Sequence, residues 1–395
     1  MACAALFSIV LPTAVPNIFL AFFLIFWIIG GNYKFKFNLV INNPIAILCI
    51  VIFLLFVLGL IYTSATTEDS LKLLKKYSKF LYVPLLLSAF YTPQWRRYGY
   101  ISFLSGVTLM LFMSYMTILG WSPDNIYSGA YTYDRPVDPV VFRSRIAHST
   151  FVAFAAFLFL HHAIDNKRFR IVFVVLAILA SLNVLGMVTS RTGQVVWISL
   201  MILLFYQRFS WKYLVISLIL VPILTVGVIF SFEKTRVRMY ELVDDYELIT
   251  QNQYYSALGL RYIWTHTGLE IIKNNLLFGA GTGSYKEEFI KAIEAKNITY
   301  NENYATLNPH NEYISIGVQL GIIGLIIYLL LLYSQWRLSK DLPISINNIA
   351  QGMIITVAIG GLFNSVIYAH AQGIFFALFT AMLFSASSKV TANNK

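Results

Sequence analysis

Three residues, His310, Arg191 and Arg261, carry the chemistry this sequence can offer. His310 stands in a polar run, Asn308-Pro309-His310-Asn311-Glu312-Tyr313, that gives way to an apolar stretch within a turn. An imidazole at such a boundary can exchange a proton near neutral pH, which few side chains can do. Pro309 suits a first helical position and pushes Asn308 out of helical geometry, so His310 is expected on the opening turn of a membrane helix. There it either braces its loop or acts as a base. Arg191 lies in the turn Thr189-Ser190-Arg191-Thr192-Gly193, between two apolar stretches and with no acid inside the turn. A guanidinium in that setting costs free energy unless an anion meets it, and its planar fork matches a phosphate. Arg261, on an apolar-patterned segment, has the same choice between a local salt bridge and a ligand phosphate.

The elements that must position these residues are membrane helices. Of 395 residues, 58% are hydrophobic and only 12% charged, more apolar surface than a soluble domain can hide. The fold class expected is an all-α polytopic membrane protein of about twelve transmembrane helices. Apolar runs at Ala4–Thr13, Pro16–Ile29, Pro44–Tyr62, Leu73–Tyr91, Tyr100–Leu119 and Ser149–His161 make the first six. Arg170–Val188, Val195–Tyr206, Tyr213–Phe230, Glu312–Tyr333, Ile349–Val366 and Ile374–Ser385 make the second six. The first continues into further spans, so no cleavable leader is expected. Cys3 and Cys49 both sit in apolar runs and imply neither a disulfide framework nor a metal site.

Charge orients these runs. With Met1 cytoplasmic, the cytoplasmic connections carry Lys34 and Lys36, Arg96 and Arg97, Lys167 to Arg170, Arg208 and Lys212, Arg337 and Lys340, and the tail Lys389 and Lys395. Every one is basic, as the positive-inside rule requires. The net charge of +11 is thereby assigned to topology and phosphate contact rather than to nucleic acid. The chain divides into residues 1–230 with nine spans, a large extracytoplasmic loop at 231–310, and residues 311–395 with three spans and a tail. The long loop exceeds ordinary connections and is partly helical, with Leu260, Ile263, Trp264, Leu269 and Ile272 at helical spacing. Its glycine-rich stretch Gly279–Gly283 suits a bend with close backbone approach but lacks the features of a phosphate-binding P-loop.

Two further basic groups fall on the extracytoplasmic side. Arg135, Arg143 and Arg145 occupy the loop Trp121–His148. Lys72, Lys75, Lys76 and Lys79 open the fourth run and, at about 100° per residue, fall on one helical stripe. They serve either as headgroup anchors or as an electrostatic track for an anionic lipid substrate. No carboxylate cluster with metal-ligand spacing occurs in these loops; Asp244-Asp245 comes nearest and reads as a solvated face.

The runs taken in order, the Ser-Arg-Thr-Gly turn at Arg191, the loop carrying Arg261, the Leu276–Tyr285 glycine turn and the His310-Asn311-Glu312-Tyr313 run with its trailing Gly321-Ile322-Ile323-Gly324-Leu325 resemble the O-antigen ligase superfamily. Within it the chain is most similar to the lipid A-core:O-antigen ligases of Gram-negative bacteria. The resemblance implies polysaccharide transfer from undecaprenyl diphosphate to a sugar hydroxyl of lipid A-core, at the periplasmic face of the inner membrane. It implies that Arg191 and Arg261 grip the diphosphate, that His310 serves the acceptor hydroxyl with Asn311 beside it, and that no metal or other cofactor is needed. The partners are then the lipid-linked O-antigen, the lipid A-core acceptor and membrane lipids. A polymerase or an O-linked protein oligosaccharyltransferase of the same superfamily is the alternative. A transporter fits less well, because the two halves of the chain do not repeat one another.

Overall fold

The computed structural model describes residues 1–121, 138–296 and 305–387. Arg135, Lys389 and Lys395 lie outside them. Among the described residues every regular element is helical. In chain order the helices are α1 (Ala2–Ser8), α2 (Ala14–Ile29), α3 (Tyr33–Ile41), α4 (Pro44–Leu58), α5 (Thr67–Tyr77) and α6 (Lys79–Leu86). They continue as α7 (Pro93–Ile118), α8 (Arg145–Asp165), α9 (Arg170–Leu182), α10 (Arg191–Arg208), α11 (Trp211–Ser231) and α12 (Glu233–Thr250). The last five are α13 (Ala257–Asn274), α14 (Tyr285–Glu294), α15 (Glu312–Ser339), α16 (Ile344–Phe363) and α17 (His370–Phe384).

Length and composition let six of the described helices cross a membrane: α7, α8, α9 continued to Met187, α11, α15 and α16. A seventh is available if α2 and α3, bent by 115° at Gly30–Asn32, form one broken span. α4 and α17 are apolar but only 15 residues each. The apolar runs had suggested twelve, and two of those runs show where counting and structure part. Ala4–Thr13 holds only the seven-residue α1, about 10 Å long at the helical rise. Leu73–Tyr91 is divided among α5, α6 and a 3₁₀ turn at Leu87–Phe90, with Pro84 inside α6 removing a backbone donor.

The described residues form two compact units. The first comprises residues 1–31, 92–240 and 342–360. Its centre is α8, whose Phe151, Phe154 and Phe157 are fully buried. Polar groups inside it are chained: His148 meets Asn183 Oδ1 at 3.1 Å, and Asn183 donates to Ser114 Oγ at 2.8 Å. The second unit comprises residues 32–91, 241–341 and 361–395. Here α13 and α14 share an apolar core of Ile263, Ile271, Tyr285, Phe289 and Ile293, which closes on Ile314 and Val318 of α15. The buried face of α13 runs through Ile263, Thr267 and Ile271, whereas Leu269 is exposed.

The second unit is assembled around a break in α15. Gly321 has φ +63° and ψ −160°, a conformation open essentially to glycine alone. In an unbroken helix the N–H groups of Ile322 and Ile323 would pair with the carbonyls of Val318 and Gln319. Instead Ile322 donates to Leu276 O (2.8 Å) and Ile323 to Leu277 O (3.4 Å), while Ala280 donates to Val318 O (2.7 Å) and Gly281 to Gln319 O (3.1 Å). The glycine-rich turn thus occupies the break and pairs all four groups. It is pinned from the other side by α4: Thr282 N donates to Gly59 O at 3.1 Å, and Tyr62 donates to Phe278 O at 2.7 Å. Gly279 has φ +72°, and a Cβ there would lie 2.5 Å from the Gln319 carbonyl carbon. A Cβ at Gly321 would lie 2.4 Å from Leu277 O. Gly279→Ala and Gly321→Ala are each expected to destabilise the protein by at least about 1–2 kcal/mol from left-handed geometry alone, read as a lowered unfolding temperature in detergent.

Candidate active site

Within the second unit, the polar run at residue 308 folds into a tight turn before α15 rather than into its first helical turn. Asn311, not Asn308, is the N-cap: its Oδ1 accepts from Ile314 N at 3.0 Å, and its Nδ2 donates to Leu362 O at 3.0 Å. The helix therefore starts at Glu312, and His310 precedes it with φ +53°. A left-handed histidine stores roughly 1–2 kcal/mol of strain, and such strain persists only where neighbours impose it. Asn308 is one of them, accepting from His310 N at 3.0 Å through its Oδ1, which also accepts from Ser365 Oγ.

The imidazole is mostly buried. Its ring lies 5.0 Å, centroid to centroid, from that of Trp264 at a 30° tilt. Trp264 is in turn fixed by α14, since Tyr285 donates to Trp264 O at 2.9 Å. His310 Nδ1 faces Asn364 Oδ1 at 3.4 Å, and Asn364 Nδ2 donates to Gln372 Oε1 at 2.9 Å. Asn364 thereby links the ring to Gln372 of α17. Burial pushes the His310 pKa below its ordinary value; the Asn364 contact opposes this and the positive charge of Arg261 adds to it. The lowered pKa favours the neutral ring, the form that can accept a proton.

The segment that supplies Asn364 and Ser365 is itself clamped. Glu312, fully buried at the N-terminus of α15, accepts from Ile367 N at 2.8 Å. Lys79, 5% exposed, donates to Ile367 O (3.0 Å), Tyr368 O (2.9 Å) and Lys76 O (3.0 Å). Tyr77 stands beside the carboxylate, its hydroxyl paired with Ser315 at 2.8 Å. One residue, Ile367, is therefore held by a carboxylate on its N–H and an ammonium on its C=O. Lys79 is a structural clamp here, not part of an exposed track, because residues 367–368 cover its turn of the helix. The other lysines of the stripe are exposed. Lys72 pairs with Glu68 at 2.6 Å, and Lys76 lies 5.4 Å from the centre of the Tyr368 ring.

Arg261, on α13 of the same unit, is half-buried, and its charge contributes to lowering the His310 pKa. Arg191 belongs to the first unit, as the first residue of α10, with Ser190 as N-cap. Its Nη2 donates to Arg238 O at 3.1 Å. The turn before it is fixed by Asp138, which accepts from Thr189 N (3.2 Å), Thr189 Oγ1 (2.8 Å) and Lys234 Nζ (3.0 Å). Arg143 is buried and serves the end of α1 and the residues after it, its Nε donating to Ile9 O at 2.8 Å and its Nη1 to Thr13 Oγ1 at 3.1 Å. Arg145 is exposed at the start of α8. Among the described residues no group of three or more His, Cys, Asp and Glu side chains is placed to hold a metal ion.

Asn364, Ser365, Gln372 and Glu312 were not singled out from the sequence. One signal was present: Asn364 and Ser365 are polar residues inside an expected apolar span, where unpaired polar groups are costly. The span in fact ends at Phe363.

Residues 176–329, which include Arg191, Arg261 and His310, match the O-antigen ligase family. A protein of Rickettsia conorii named as a candidate polysaccharide ligase is 32% identical over 129 residues, 32% of this chain and 30% of that protein. A like-named protein of Rickettsia felis is 31% identical over 124 residues, 31% of this chain and 29% of its own length. Less than a third of these relatives is thus matched. The family match and the two relatives support a likeness to the O-antigen ligase superfamily over this part of the chain.

Two outcomes follow from the geometry. If His310 is the base, the acid limb of the activity profile lies below 6.5, the ordinary imidazole value, because only the neutral ring accepts a proton. Arg261→Gln moves that limb upward by removing a neighbouring positive charge; a limb at or above 6.5 in the unmodified protein contradicts this. Lys79→Met orphans buried carbonyls at about 1–3 kcal/mol each, whereas Lys72→Gln and Lys75→Gln stay within about 0.5 kcal/mol, all measured by thermal unfolding in detergent.

Proposed function

We propose that this protein is an O-antigen ligase. It transfers polysaccharide from undecaprenyl diphosphate to a sugar hydroxyl of lipid A-core, at the periplasmic face of the inner membrane. The observation that supports the reading is His310: a mostly buried, strained imidazole whose pKa burial lowers and whose Nδ1 faces Asn364. Glycosyl transfer from a lipid diphosphate needs a base for the attacking hydroxyl and positive charge for the leaving group. In this mechanism the acceptor oxygen attacks the anomeric carbon while its proton passes to the His310 imidazole. The bond to the diphosphate breaks with its electron pair, leaving undecaprenyl diphosphate. One displacement with one base and no protein nucleophile inverts the anomeric centre.

Arg191 and Arg261 bind the diphosphate. Arg191 favours this role by position: a cation at a helix N-terminus opposes the helix dipole, and an anion bound there relieves both. The exposed Lys72, Lys75 and Lys76 attract anionic lipid, and Arg145 is available at the same kind of surface. Both termini are then cytoplasmic, with the Arg191 turn and residues 231–310 facing the periplasm.

The test is transfer by purified protein from lipid-linked polysaccharide to lipid A-core. His310→Ala is expected to lose roughly 10²–10⁴-fold in rate, the usual worth of a positioned base, and a variant retaining most of its activity would falsify the assignment. Arg191→Lys is expected to be badly impaired, since an ammonium does not reproduce the bidentate fork. Transfer is expected to persist in excess EDTA; absolute dependence on a divalent cation contradicts the two-arginine site. In cells, loss of the gene is expected to leave polymer on the lipid carrier, whereas caps of a single repeat unit indicate a polymerase.

A further inference from the structure

The glycine-rich turn that fills the break in α15 exposes three consecutive large apolar side chains, Leu276 (54%), Leu277 (59%) and Phe278 (62%). On a loop in water such a patch is costly. Its backbone shows a different adaptation: the carbonyls of Leu276, Leu277 and Phe278 accept from Ile322, Ile323 and Tyr62. Pairing of its carbonyls within the protein is one requirement of non-helical backbone at membrane depth. The patch is also flanked on both sides by exposed apolar surface of apolar helices. Leu54, Leu58 and Ile61 lie at the end of α4 and just beyond it, and Ile326, Leu329 and Leu330 lie on α15 below the break.

Depth follows from α15 itself. Arg337 and Lys340 mark one edge of the apolar layer. From Ser339 back to Gly321 the helix rises about 27 Å at 1.5 Å per residue, close to the roughly 30 Å thickness of the hydrocarbon core. The turn that pairs with Gly321 therefore lies just inside the opposite edge. Lys273 and Asn274, immediately before it, are exposed and polar, and Tyr62 meets it with its hydroxyl, as residues at a membrane–water boundary do.

We propose that Leu276-Leu277-Phe278 is a wedge inserted into the outer edge of the apolar layer, with lipid acyl chains as its partner. The 231–310 loop is then not wholly aqueous. The C-terminal end of α13, the helix that carries Arg261, is tethered at the bilayer edge, so a lipid-borne diphosphate can be met without leaving the membrane. The tether itself does not depend on the transfer reaction.

The test is spin-label accessibility in reconstituted vesicles of zwitterionic phospholipid. In a Cys3→Ser, Cys49→Ala background, single cysteines at Leu276, Leu277 and Phe278 are labelled one at a time. Ile326→Cys on α15 and Lys291→Cys on α14 serve as lipid and aqueous references. Oxygen concentrates in hydrocarbon and a charged nickel chelate is excluded from it, so the wedge is expected to give an oxygen-to-nickel collision ratio roughly tenfold above that at Lys291, matching Ile326. Nickel collision equal to that at Lys291 places the turn in water and overturns the proposal. Shielding from both reagents means a protein partner covers the patch, and overturns it equally.

Discussion

Backbone polar groups at membrane depth have no water to turn to, and the second unit is organised by how it meets that constraint at Gly321. A helix broken in the apolar layer exposes two donors and two acceptors. Here one turn from a distant stretch of chain supplies the matching four groups. The pairing requires glycine on both partners, at Gly321 for its backbone angles and at Gly279 for the approach of the two chains. Because the turn links α13 to α14, docking it also fixes the two helices whose apolar core seats Trp264 against His310.

Burial within the protein makes a like demand on the side chains that build the turn at His310. Asn308, Asn311 and Glu312 each reach residues between Leu362 and Ile367, and Lys79 completes the grip from α6. Taking one member out of such a buried network leaves its partners unpaired, so the parts are retained together. The same enclosure depresses the proton affinity of His310 while Asn364 holds its Nδ1. A base that must be neutral and aimed is thus served by the burial that makes its neighbourhood demanding.

Much of this was legible in the residues. A composition with so little charge and so many apolar runs excludes a soluble chain, and every regular element among the described residues is helical. The helix expected from the spacing of Leu260 to Ile272 also forms, at Ala257–Asn274. The lysine stripe shows the limit of such patterning. A helical wheel gives the direction of each side chain but not what covers it, so Lys79 shared an angle with Lys72, Lys75 and Lys76 yet lies beneath residues 367–368. Span counting has a similar limit. An apolar run states that a segment avoids water, whereas one straight crossing also needs continuous backbone pairing, which Pro84 interrupts in α6.

By itself the sequence determined the helical membrane class, a resemblance to the O-antigen ligase superfamily, and His310, Arg191 and Arg261 as the groups to examine. Each of these rests on residue type and local spacing, which a linear chain displays directly. Only the tertiary structure decided that His310 precedes its helix in a strained conformation, and that Asn364 meets its ring. It likewise decided that Lys79 and Glu312 hold one residue, Ile367, between them. Those facts join residues 54 and 55 positions apart, and up to 288 for Lys79 and Ile367. Contacts at such separations depend on how helices pack, and no local pattern of residues records them.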